Sequence, residues 1–169
     1  MIIAGIDTAI RKTGYGVIQM DSANKVKILD CGVISNKASL PHSECLRRLS
    51  GGIRELLEMY HPSAAAIEGA FVNKNIKTAM ILSLARGAVI AALAENSVPV
   101  YEYSPKSAKR AVTGNGEASK EQVASIIASV CSLNIAEIPN DSTDALALAI
   151  CHGSLALRPG LSGLLPDPV

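Results

Sequence analysis

Four carboxylates stand where an isolated charge is costly. Asp7 closes the apolar run Ile2-Ile-Ala-Gly-Ile, and Glu68 closes Ala64-Ala-Ala-Ile, so each is carried to the end of a segment that reads as a buried strand. Asp141 and Asp144 are three apart at the head of an apolar segment running Ala145-Leu-Ala-Leu-Ala-Ile, which places both on one face of a helix. Converging alone, such groups would repel or hold protons; a divalent cation would keep them ionised. An all-oxygen donor set suits Mg²⁺ or Mn²⁺. A pair of such ions can activate water and stabilise the leaving oxygen of a phosphodiester. Singly, each acid has an ordinary structural explanation: a strand-end Asp bonds a turn, and Asp141 with Asp144 fits a cap and a dipole-compensating first turn. Only the ensemble is specific.

Positioning these groups requires a sheet with helices against it. Ile2–Asp7, Tyr15–Met20 and Val26–Ile34 read as three antiparallel strands, separated by Arg11-Lys-Thr-Gly and by Asp21-Ser-Ala-Asn-Lys. Leu46, Leu49, Ile53, Leu56, Leu57 and Tyr60 recur at helical spacing between Pro41 and Pro62. Ala64–Glu68 is a strand, Ile76 to Glu95 an apolar helix, and Val98–Tyr103 a further strand, which together make a parallel crossover. Ser104-Pro105 marks a helix start, and Ser119 with Gln122 a capping box before a helix that ends near Cys131. The last helix is expected from Asp141 to about Leu155, followed by a breaker-rich tail. The fold class is therefore α/β: one domain over 1–156, a five-stranded mixed sheet with helices on both faces, and a flexible tail over 157–169.

Composition narrows the class of protein. Among 169 residues 49% are hydrophobic and 18% charged, with a formal net charge of +1, so the overall field gives no reason to expect a polyanionic partner. Lys106, Lys109, Arg110 and Lys120 against Glu117 nevertheless leave a local excess of three positive charges between residues 104 and 120. Cys31, Cys45, Cys131 and Cys151 form no metal-binding spacing and read as reduced thiols of a cytoplasmic protein. No signal sequence is expected at the N-terminus, and the apolar stretch from Ala79 to Ala94, interrupted by Arg86, reads as too short to span a bilayer.

The blocks Gly5-Ile6-Asp7, Thr13-Gly-Tyr-Gly-Val17, Ala66-Ile67-Glu68, Ala85-Arg86-Gly87 and Asp141-x-x-Asp144-Ala-Leu-Ala147 resemble, in that order, the RuvC family of Holliday junction resolvases. The resemblance runs from residue 2 to about 152 and implies a ribonuclease H-like fold. It implies two Mg²⁺ ions per subunit, replaceable by Mn²⁺, on Asp7, Glu68, Asp141 and Asp144. It also implies phosphate contacts from Lys109 and Lys120, the latter in the catalytic set, and base stacking by Phe71 at the junction. Further implications are four-way junction DNA as substrate, a homodimer making symmetric nicks, and a branch-migration motor of the RuvA and RuvB type as partner. From the residues alone, Lys109 and Lys120 are equally readable as solvated surface lysines and Phe71 as a core plug.

Departures from the family's pattern are Thr8-Ala9, where Pro-Gly is usual, and Gly69, where a polar side chain is commoner; the first leaves any DNA contact by Arg11 or Lys12 open. Two rivals share parts of the pattern: a non-catalytic actin-like ATPase-fold partner protein, suggested by Gly5-Ile-Asp-Thr-Ala9, and a ribonuclease H acting on RNA-DNA hybrids. The first would need a second lobe and glycine-rich phosphate loops, neither evident in the sequence; the second would need neither Phe71 nor a two-fold partner.

Overall fold

Strand β1 (Ile2–Asp7) lies at the centre of the molecule, and every other element is organised around it. The computed structural model describes residues 1–23, 25–69, 75–131, 134, 136 and 138–169. β1 is followed by β2 (Lys12–Ser22), β3 (Lys25–Ser35), α1 (His42–Tyr60), β4 (Ala64–Glu68), α2 (Ile76–Glu95) and β5 (Val100–Tyr103). Then come α3 (Pro105–Thr113), α4 (Lys120–Val130) and α5 (Thr143–Leu157), with short 3₁₀ turns at Asn140–Ser142 and Ser162–Leu164.

The sheet has the order β3-β2-β1-β4-β5. β1, β2 and β3 are antiparallel neighbours, whereas β4 and β5 join parallel to β1, giving the expected five-stranded mixed sheet. Because side chains alternate along a strand, each face has its own core. Ile3, Ile18, Met20 and Ala66 pack under α3, α4 and α5, while Ile6, Ala65 and Ile67 pack under α1 and α2. Helices cover both faces, as the sequence implies.

Local signals behave as their chemistry dictates. Ser104 caps α3 by accepting from the Ser107 N–H with Pro105 in the first turn, and Ser119 and Gln122 form the complete capping box of α4. Two expectations need correction. Arg11-Lys-Thr-Gly is not the first turn: β2 already begins at Lys12, and the chain reverses over residues 8–11. There the Thr13 hydroxyl donates to Ala9 O at 2.5 Å and accepts from Ala9 N–H at 3.1 Å, closing the turn without a Pro-Gly pair. Asp141 does not open the last helix: it sits in the 3₁₀ turn, and α5 starts at Thr143. α2 spans 20 residues at the expected bounds, and by length and composition alone it would be long and apolar enough to cross a membrane. In the structure Ala85, Val89, Ala92 and Leu93 bury one side of α2 in the core.

The C-terminal residues show a 3₁₀ turn at Ser162–Leu164 and a hydrogen bond from Val169 N–H to Val100 O at 2.9 Å. All four cysteines are free thiols.

Candidate active site

Alternation decides which way the two strand-end acids point. Ile3 and Ala66 belong to the core beneath α5, so Asp7 and Glu68, an even number of residues further on, face the same side. β1 and β4 are adjacent and parallel with Ile6 opposite Ile67, which puts Asp7 and Glu68 side by side at neighbouring strand ends.

α5 must then come very close to the sheet, and glycines permit it. A Cβ on Gly5 would lie 1.8 Å from the Ala145 carbonyl oxygen, and one on Gly14 would lie 1.8 Å from the Asp141 carbonyl oxygen. Only bare backbone fits at these two positions, so the segment carrying Asp141 and Asp144 rests directly on β1 and β2. The two glycines of the opening blocks thus set the depth at which the later acids enter.

The result is a cleft of about 310 Å³ lined by Asp7, Glu68, Asp144, Lys109 and Lys120, with Pro105, Ala108, Ala147 and Leu148 as its apolar wall. Three of the four expected acids and both expected lysines therefore share one cavity. Asp141 does not line it: its half-exposed side chain turns to Lys12, with Nζ 3.6 Å from Oδ2, although its charge still reaches Asp7 and Lys120. Phe71 lies outside the described residues.

Electrostatics in the cleft are unbalanced. Burial, then the Asp144 charge, pushes the Asp7 carboxyl above its ordinary range; burial, then the Asp7 charge, does the same to Glu68. Between the two, the side-chain contact lowers Asp7 and raises Glu68. Lys120 donates to Asp144 Oδ2 at 2.5 Å, and this bond holds its ammonium above the usual lysine range. Among the described residues no three His, Cys, Asp or Glu side chains are gathered closely enough to hold an ion as they stand. Lys120 on Asp144 and Lys12 on Asp141 bring positive charge to two of the acids. The donor chemistry nevertheless fits a hard divalent cation: the acids of the cleft offer oxygen only, and two of them are pushed towards protonation, first by burial.

Sequence reasoning names three groups around the site, Arg11, Lys12 and Arg86, but misses their contacts. Lys12 is engaged with Asp141, whereas Arg11 donates to Lys37 O and Leu40 O and braces the chain entering α1. Arg86 of α2 donates to the Glu68 carbonyl oxygen at 2.5 Å and pairs with Glu102. The available signal for Arg86 is a charge inside an otherwise apolar helix. Lys106 pairs with Glu117, the acid already set against the basic patch, so its excess is carried by Lys109, Arg110 and Lys120.

The family profile described as "Crossover junction endodeoxyribonuclease RuvC" matches residues 3–152. The chain belongs to the RuvC family. RuvC of Chlorobaculum parvum is 44% identical over 167 residues, covering 96% of this chain and 89% of the relative, and RuvC of Roseiflexus sp. is 40% identical, covering 88% of each. Among solved structures, "T. thermophilus RuvC in complex with Holliday junction substrate" superposes with a TM-score of 0.90 at 34% identity, covering 100% of this chain and 99% of that one. At 14% identity the yeast mitochondrial resolvase Ydc2 shares the fold, with a TM-score of 0.58. The five-stranded sheet and its helices are thus those of RuvC and related ribonuclease H-like resolvases, as the five sequence blocks imply.

Proposed function

We propose that this chain is an endodeoxyribonuclease that recognises four-way DNA junctions and resolves them by paired symmetric nicks, in recombination and repair. The observation carrying the reading is the single cleft in which Asp7, Glu68 and Asp144 meet Lys109 and Lys120, in a member of a family of crossover junction endodeoxyribonucleases. Carboxylates at the floor and ammonium groups at the rim suit a phosphodiester approaching divalent metal.

Asp7, Glu68 and Asp144, joined by Asp141, would hold two Mg²⁺ ions per subunit, with Mn²⁺ able to substitute. Bound there, the metal supplies a water activated at neutral pH and Lewis-acid stabilisation of the leaving oxygen. The chain's own residues do the rest. Lys109 and Lys120 orient the phosphate and offset its charge, Pro105, Ala108, Ala147 and Leu148 restrict water, and Phe71 serves base stacking at the junction.

Two equivalent strands require two equivalent sites, and α2 offers the surface that would pair them. Ile76, Met80 and Leu84 are 75%, 64% and 52% exposed, an apolar patch that a soluble monomer rarely displays and that a two-fold mate would cover. A cytoplasmic homodimer working with a RuvA- and RuvB-type motor follows from the same reading.

The test is cleavage of a synthetic four-way junction with Mg²⁺ against linear duplex and RNA-DNA hybrid. Junction-selective paired nicks are expected, abolished in Asp7→Asn, Glu68→Gln, Asp141→Asn and Asp144→Asn while junction binding persists. Equal cutting of linear duplex or hybrid, or near-normal cleavage by any two of these variants, overturns the reading.

A further inference from the structure

We propose that Arg86 is a positioning residue for the cleft: reaching from α2, it grips the carbonyl of Glu68 and the carboxylate of Glu102 and so fixes where the Glu68 side chain enters. The inference rests on the nuclease reading of that cleft.

A guanidinium inside an apolar helix is costly to bury unless it is fully paired. Arg86 keeps only 13% of its side chain exposed and spends its donors on two strands at once. Nη1 donates to Glu68 O at 2.5 Å, and Nη2 pairs with Glu102 on β5. Both contacts lie on the α2 side of the sheet, because Glu102 alternates with Tyr101 and Tyr103, which pack on the α5 side. The Glu68 carboxylate leaves from the opposite side, into the cleft.

The strand ladder explains why this grip matters. Pairing between β1 and β4 ends at Ile6 opposite Ile67, one residue before Glu68. On the other edge Gly69 N–H donates to Tyr103 O at 2.9 Å, so β4 remains tied to β5 but not to β1 at the level of the acids. Arg86 supplies the missing donor where the ladder runs out. A guanidinium that merely satisfied itself could bond any carbonyl; this one bonds the backbone of the residue whose carboxylate lines the cleft, from the helix whose apolar face lies exposed.

The test compares Arg86→Gln and Arg86→Lys with the wild type in four measurements. These are thermal unfolding, junction affinity without metal, Mn²⁺ binding to DNA-free protein by electron paramagnetic resonance, and single-turnover cleavage. Arg86→Gln is expected to weaken Mn²⁺ binding and slow cleavage by about 10–100-fold, the usual cost of losing an orienting partner behind a metal ligand. Junction affinity should stay unchanged. Arg86→Lys should recover part of both losses, because an ammonium can still donate to the Glu68 carbonyl. A folded Arg86→Gln with unchanged Mn²⁺ affinity and rate overturns the proposal, as does a loss confined to junction affinity. Should Arg86→Gln fail to fold, Glu102→Gln decides: it leaves the guanidinium but removes its counter-charge, and must weaken Mn²⁺ binding in the same direction, an unchanged affinity overturning the proposal. A wild type that binds Mn²⁺ but cuts no junction would sink the nuclease reading alone, since the Mn²⁺ measurements still report on Arg86.

Discussion

Lys120, the first residue of α4, places its ammonium 2.5 Å from Asp144 Oδ2 in the first turn of α5. A cation at a helix N-terminus opposes the macrodipole, so the bond to Asp144 offsets an unfavourable location. It also engages an oxygen that a metal ion would use. Replacing Lys120 by Met is therefore expected to act in two directions: tighter Mn²⁺ binding, because a competing charge is gone, and cleavage slowed by about 10²-fold, because a phosphate-facing charge is gone. Metal titration and single-turnover rates on the same preparation check this; weaker metal binding would contradict it.

α2 has two apolar sides with different neighbours. Val89 is fully buried against the sheet, whereas Met80 and Leu84, one helical turn apart, are 64% and 52% exposed on the opposite side. Leu84→Asp is expected to give a folded monomer by sedimentation that no longer makes paired nicks. Val89→Asp is expected not to fold, since an unpaired charge would enter the core. A wild type that is monomeric at micromolar concentration, free and on junction DNA, would contradict the pairing surface.

Tyr103 and His152 meet in the buried interface of β5 and α5, with the phenol oxygen 2.8 Å from Nδ1. Burial holds the imidazole pKa down to about 4 from 6.5, so between these values the unfolded chain binds more protons than the folded one. Stability is then full above pH 6.5 and declines as pH falls towards 4, by on the order of 3 kcal/mol from this group. Asp7 and Glu68, whose carboxyls are raised, act in the opposite sense over the acid range. The difference between wild type and His152→Gln in urea unfolding at pH 7.5 and pH 5 isolates the histidine: the variant should lose less stability.

Gly5 admits no side chain because α5 occupies the space. Gly5→Ala is expected to cost at least about 1–3 kcal/mol by urea unfolding, the range for overpacking a filled interior, and to lower cleavage in the molecules that do fold by lifting Asp144 away from Asp7. Wild-type stability would show that α5 can withdraw freely.

Whatever depended on local chemistry was legible in the sequence. The capping box at Ser119, Pro105 in the first turn of α3, the bounds of β4 and α2, and the five-stranded mixed sheet all follow from residue type and period. Asp7, Glu68 and Asp144 were legible as acids at the ends of buried elements. Asp141 was misread as helical because a 3₁₀ turn and a first helical turn offer the same short spacing. The pairing of Lys12 with Asp141, and of Arg86 with Glu102 and the Glu68 carbonyl, left no local trace, because it depends on strand register and helix approach. Thr13 replacing a Pro-Gly turn is of the same kind: its hydroxyl works through the geometry of residues 8–13, not through their identity.

Because β1 is central and α5 closes over it, two elements far apart in the sequence are neighbours in space. During ribosomal synthesis Asp7 is made well before Asp144, which follows only when most of the α/β domain has been made. Until then the face formed by Ile3, Ile18 and Ala66 has no lid, and the chain depends on closing its longest loop last. A nascent or truncated chain therefore lacks a complete acid cluster, so the capacity to cut DNA arrives in one step with the final helix.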